Sequence, residues 1–181
     1  RGDAPPILAI TGSNGKSTVT AMVGEICAAA KLQPVVAGNI GLPVLDALAD
    51  IEAGTAMPGI FVLELSSFQL ESIDTLDATA ATVLNISEDH LDRYDGLREY
   101  AQAKARIFAG SGVQVINRQD VWSAGMARQQ RRVVSFGLDQ PRAADDWGVI
   151  ASKTVSHLAR GATVLAGIDR LRVSGMHNAA N

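Results

Sequence analysis

An apolar run, Ile7-Leu8-Ala9-Ile10, leads directly into Thr11-Gly12-Ser13-Asn14-Gly15-Lys16-Ser17-Thr18. From Val19 to Ala30 the chain then reads as helix. Strand, glycine loop, Lys-Ser/Thr and helix in that order constrain a fold tightly. The glycines let backbone N–H groups converge at a helix N-terminus, whose field attracts phosphate oxygens. In this arrangement Lys16 reaches the β- and γ-phosphates of a nucleotide, and Ser17 offers its hydroxyl to Mg2+. The common form of the motif needs glycine at position 10, where Ile10 stands, so the loop is a variant built on Gly12 and Gly15. A plain glycine turn before an ordinary helix is the alternative; the flanking strand and helix favour phosphate.

Further along, apolar segments alternate with helical ones. Pro34–Ala37, Ile60–Leu65, Ala80–Ile86 and Gly112–Asn117 read as strands, and 43–49 and 97–108 as helices. Continuous apolar strands separated by helices predict an α/β fold of the phosphate-loop type. Its sheet is doubly wound and mostly parallel, with helices on both faces. From Val133 the spacing shortens. Val133–Phe136, Trp147–Ala151, Ala162–Leu165 and Leu171–Val173 read as short strands of a small antiparallel subsheet toward the C-terminal end.

Composition narrows the function classes. Charged residues are 19% of the 181 and hydrophobic ones 47%, which suits one folded domain and not a disordered chain. A net charge of −3 provides no basic field for nucleic acid or an anionic membrane. A bound phosphate must therefore be held by local geometry and metal. No apolar run approaches the roughly 18 residues of a membrane span. Cys27 stands alone, so no intrachain disulfide forms, in keeping with a reducing cytoplasm; it reads as a small buried apolar residue. Arg1-Gly2-Asp3-Ala4-Pro5-Pro6 reads as a linker, and Met176 to Asn181 as a polar loop entering a helix. A central domain of a longer protein is expected.

Ligands of parallel sheets sit beyond the carboxyl ends of the strands. Gly12, Asn39, Glu64 and the Ser87–His90 loop all fall there. Glu64 is an acid at the end of an apolar strand, costly unless paired or metal-bound, and suits Mg2+ beside a phosphate loop. A structural acid capping a loop is the other reading. Ser87-Glu88-Asp89-His90-Leu91-Asp92 offers either a second metal site near a reacting phosphate or a solvated charged loop. Pattern alone makes Lys104 a solvated helix residue and Asn39 a turn residue. No nucleophile elbow surrounds Ser66 or Ser67, which argues against a hydrolase triad.

Taken together, T-G-S-N-G-K-S-T, G-N-I-G, E-L-S-S-F-Q-L, S-E-D-H-L-D and the terminal H-N-A-A-N resemble the central ATP-binding domain of the Mur ligases, from Ile7 to Asn181. Ser13 and the words from Glu64 to Leu70 most resemble the branch that adds D-glutamate to UDP-N-acetylmuramoyl-L-alanine. The resemblance implies a cytoplasmic, monomeric ligase of peptidoglycan synthesis. Residues 1–181 would be its central domain, with a UDP-sugar domain before it and an amino-acid domain after it. It implies ATP on Gly12, Ser13, Asn14, Gly15, Lys16, Ser17 and Thr18, with Asn178 and Asn181 at the adenine end. It implies two Mg2+ ions, one on Ser17 and Glu64 and one on His90. Lys104 matches a lysine carbamylated by CO2, which turns a cation into an anionic metal ligand. Lys16, His90 and Lys104 are the implied catalytic groups, and Asn39 and Ser66 face the muramoyl-alanine. Another Mur ligase, a folylpolyglutamate synthase-like ligase, or a nucleotide-binding module without ligase activity are the alternatives.

Overall fold

The computed structural model describes residues 4–89, 92–152, 155–171 and 180. Six strands, β1 (Ile7–Thr11), β2 (Pro34–Gly38), β3 (Ile60–Glu64), β4 (Ala80–Val83), β5 (Val113–Asn117) and β6 (Val133–Phe136), form one parallel sheet in the order β2-β3-β1-β4-β5-β6. A separate antiparallel sheet contains β7 (Trp147–Ile150), β8 (His157–Arg160) and β9 (Thr163–Gly167). The expected α/β class and the small antiparallel sheet are both present.

Alternation along the strands sends side chains to two separate cores. Ile10, Ile60, Val62 and Leu84 meet Val19 and Cys27 of α1 (Lys16–Ala29) on one face. Ala9, Phe61, Leu63, Ala81, Val83 and Ile116 face the other way, toward α3 (Ser67–Ser72) and α4 (Leu97–Ala105). Cys27 is buried, as its apolar reading required. Two further helices, α2 (Val44–Glu52) and α5 (Val121–Gly125), complete the connections. From β1 the chain passes through α1 toward β2, whereas the connection after β4 leads to β5 on the opposite side. The loops following β1 and β4 thus part at a topological switch point, where such sheets open a crevice.

Three readings need correction. Val133–Phe136 belongs to the parallel sheet, paired to β5, and not to the antiparallel subsheet. A four-residue strand carries no record of its partner, and this one is an edge strand. The fourth strand stops at Val83 and not at Ile86, because Leu84 to Ser87 turn their polar groups to the phosphate loop. Leu171 follows a 3-10 turn and is not in a strand; residues 172 and 173 lie outside the described set.

A sizeable cavity lies away from the glycine loop. It is an apolar trough of about 450 Å³ over β1, β4, β5 and β6, walled by Val23 and Ile26 of α1 and by Trp147 and Leu158 of the smaller sheet.

Candidate nucleotide and metal site

The helix after β1 starts three residues earlier than its apolar pattern, at Lys16. Gly15 precedes it with φ +81°, a left-handed conformation that L side chains adopt at a cost. No side chain caps this end. The first N–H groups of α1 therefore remain available to an anion, together with the positive end of the helix dipole. Ser17 and Thr18, on the first turn, are exposed. Lys16 folds back over the loop, its Nζ donating to the carbonyls of Gly12 and Ser13 at 3.0 Å each.

The loop is held in shape by the segment after β4. The backbone N–H of Asn14 donates to Asn85 Oδ1 at 2.8 Å, and Asn85 Nδ2 returns a bond to the Asn14 carbonyl at 3.0 Å. Asn14 Nδ2 donates to Ser87 Oγ, and the Ser87 N–H donates to Ser13 Oγ at 3.0 Å. Ser13 N–H also bonds the Asn85 carbonyl. Asn85 was not singled out in the sequence, and Ser87 only as the start of the charged loop, not as a support of the phosphate loop. The signal for them was a polar pair following a buried strand, which sequence alone does not aim at a loop 70 positions away.

Glu64 ends β3 at the level of Ile10, its register partner on β1. It alternates with Ile60 and Val62, so it takes the face that α1 covers. It is only 2% exposed, and Asn39 Nδ2 donates to its Oε1 at 3.1 Å. No lysine or arginine pairs with it among the described residues. A buried carboxylate with an amide neighbour and no counter-ion suits a divalent cation. Among the described residues no three His, Cys, Asp or Glu side chains cluster as a metal cage. Glu64 and the Ser17 hydroxyl are the donors that the family resemblance implies for a first metal. That sparse set fits Mg2+, which usually keeps waters and takes substrate phosphates as its remaining ligands. Asn39 follows β2 and is tied to Glu64 twice: its backbone N–H bonds the Glu64 carbonyl at 2.8 Å, and its side chain donates to the carboxylate. A side chain on Gly38 would collide with that carbonyl, since a Cβ there would lie 2.1 Å from Glu64 O.

Lys104 reverses its pattern-based reading. It is 2% exposed and not a solvated residue. Ala101 and Ala103 let α4 pack closely on the sheet, and Lys104 points inward with Tyr100. Its Nζ lies 3.4 Å from Thr11 Oγ1 and 4.6 Å above the Tyr100 ring. Neither neighbour is charged. Burial, then the positive charge of Lys16, lower its amine to about 8, against an opposing pull from Asp89. The unfolded chain keeps that proton up to the ordinary lysine value of ~10.4. Between these values the unfolded state binds more protons, so stability rises with pH. Denaturant titrations of the metal-free protein should show this gain from about pH 8 upward, and Lys104→Met should flatten it.

Ser66 caps α3: its Oγ accepts from the Gln69 N–H at 3.2 Å, and the Gln69 side chain accepts from the Ser66 N–H at 2.9 Å. His90, Asn178 and Asn181 lie outside the described residues. The structure thus brings together Gly12, Ser13, Asn14, Gly15, Lys16 and Ser17 with the Asn85–Asp89 segment. Glu64 with Asn39 and Lys104 with Thr11 reach the same strand ends from the sheet's two faces.

Comparison with known proteins agrees with this geometry. Residues 10–181 match the Mur ligase middle domain family model. The UDP-N-acetylmuramoylalanine--D-glutamate ligase of Thiobacillus denitrificans is 57% identical over 176 residues, 97% of this chain and 36% of its own length. That of Methylobacillus flagellatus is 54% identical over 175 residues, 97% of this chain and 37% of its own. The chain thus spans less than two fifths of the length of these curated relatives. Among solved structures, a pseudomurein peptide ligase type C from Methanothermus fervidus has a TM-score of 0.72 at 18% identity, over 97% of this chain and 44% of that one. MurF from Acinetobacter baumannii gives 0.67 at 21%, over 97% and 40%. At such identities these two speak for the fold alone. With the family model matching nearly its whole length, the chain belongs to the Mur ligase family.

Proposed function

We propose that residues 1–181 form the central ATP-binding domain of a ligase that joins D-glutamate to UDP-N-acetylmuramoyl-L-alanine in peptidoglycan synthesis. The carrying observation is an uncapped helix N-terminus with Lys16 and Ser17 at its start, following β1, whose neighbour β3 ends in the buried Glu64. The two ligases quoted above, each more than half identical, support the choice of substrates.

In this reading the alanyl carboxylate attacks the γ-phosphorus of ATP. The bond to the bridging oxygen breaks, ADP leaves, and an acyl phosphate remains. The D-glutamate amine then attacks the acyl carbon, phosphate departs with the bonding pair, and the nitrogen loses a proton. A free carboxylate is a poor acyl donor, and phosphorylation supplies its leaving group. Lys16 swings from the Gly12 and Ser13 carbonyls to the phosphates and reduces repulsion between two approaching anions. The α1 N–H groups orient the triphosphate. Glu64 and Ser17 would hold a first Mg2+, and His90 with carbamylated Lys104 a second; the bound metal supplies charge neutralisation on the phosphates. Asn39 and Ser66 face the muramoyl-alanine, and Asn178 and Asn181 the adenine. The enzyme acts in the cytoplasm as a monomer, without nucleic acid. No helix among the described residues is long and apolar enough to cross a membrane.

ADP release by the full-length protein tests the proposal. It is expected to require both UDP-N-acetylmuramoyl-L-alanine and D-glutamate. Turnover with another amino acid instead would assign a different ligase, and nucleotide binding without turnover would leave a binding module. Residues 1–181 alone should bind MgADP and ligate nothing.

A further inference from the structure

Tyr100 is buried to 1% exposure on α4, one turn before Lys104, so the two side chains share a helix face. Its ring lies under the Lys104 ammonium, with 4.6 Å from Nζ to the centroid. Its hydroxyl is 3.4 Å from Ser13 Oγ in the phosphate loop. Tyr94 tilts against the ring at 5.2 Å and holds it in place. One side chain therefore touches two separate parts of the site, the loop after β1 and Lys104.

We infer that Tyr100 is a positioning residue that ties the phosphate loop to Lys104, so that both keep one fixed separation when a nucleotide binds. Burial keeps it from touching substrate. Ser13 and Lys104 lie 91 positions apart on different elements, and Tyr100 reaches both through opposite properties. The polar tip serves the loop, and the ring packs beneath the Lys104 side chain and fixes where its end lies. Nothing else on α4 among the described residues offers a polar atom to the phosphate loop except Lys104 itself.

The inference rests on the nucleotide reading above, and the test separates the two. Calorimetric MgADP binding is measured on the full-length protein for wild type, Ser13→Ala, Tyr100→Phe and the double variant. Tyr100→Phe should weaken binding about fivefold in the wild type and add little in Ser13→Ala, whose own loss is larger because Ser13 Oγ also accepts from the Ser87 N–H. In the ligation assay Tyr100→Leu, which also removes the ring beneath Lys104, should lower kcat about tenfold below Tyr100→Phe, with KM for ATP equal in the two. Independent, additive losses, or losses that follow only a fall in melting temperature, would overturn the role of Tyr100. A wild type that binds no MgADP would instead overturn the nucleotide site.

Discussion

Lys16→Ala is expected to lower kcat of the full-length protein by about a thousandfold or more, the scale on which a single cation stabilises a transferring phosphoryl group. MgADP affinity should fall much less, about tenfold, because the α1 N–H groups still meet the phosphates. The reason for the split is visible in the structure. Without nucleotide, Lys16 already has two carbonyl partners, so its interaction with ground-state phosphates is partly an exchange of one set of acceptors for another. Its full value appears only as charge gathers on the oxygens in flight. Lys16→Arg should not restore the rate, since a planar guanidinium on a longer stem cannot take the place of a compact ammonium. Rapid-quench measurement of γ-phosphate transfer separates the two effects. Unchanged transfer in Lys16→Ala would mean that the loop does not hold the reacting phosphates.

How much of this was legible in the sequence depends on whether a residue speaks locally or across the fold. The phosphate loop is local: Gly15, Lys16 and Ser17 act through the backbone they themselves shape, so eight consecutive residues sufficed. Glu64 was legible because an acid ending a strand as apolar as Ile60–Leu63 has few inexpensive reasons to be there. Lys104 was not legible by pattern. Alternating small and polar residues, Ala101 to Ala105, describe a solvated helix until the sheet beneath them is known; the small residues are what let the helix approach it. Only the family resemblance drew attention to it. The Asn14–Asn85 exchange and the Ser13–Tyr100 contact join positions 71 and 87 apart, and no local rule pairs them. For the same reason β6 was read as a strand but given to the wrong sheet. His157–Arg160 went unread, since H-L-A-R has neither β-branched residues nor strict alternation.

Lys104→Ala should likewise cost the full-length enzyme about a thousandfold in ligation, and short carboxylates such as formate or acetate should restore part of it. The site explains both halves. Buried at 2% exposure, with Lys16 lowering its proton affinity further and Asp89 only partly opposing this, Lys104 is destabilised as an ammonium. With the amine lowered to about 8, a sizeable fraction is neutral near physiological pH, whereas an ordinary lysine is almost wholly protonated there. The neutral amine is the form that adds to CO2: nitrogen bonds carbon, a proton leaves, and the side chain becomes an anion. A modified Lys104 then no longer repels Lys16 but attracts it, and it adds oxygen ligands beside the triphosphate. Truncation to alanine leaves a space of lysine shape lined by a hydroxyl and an aromatic face, where a small carboxylate supplies the missing oxygens. Rescue should rise with carboxylate concentration and fall with its size. A truncated enzyme that loses activity but ignores every carboxylate would show that Lys104 serves as a cation or a packing group, and one that keeps its rate would remove it from the reaction altogether.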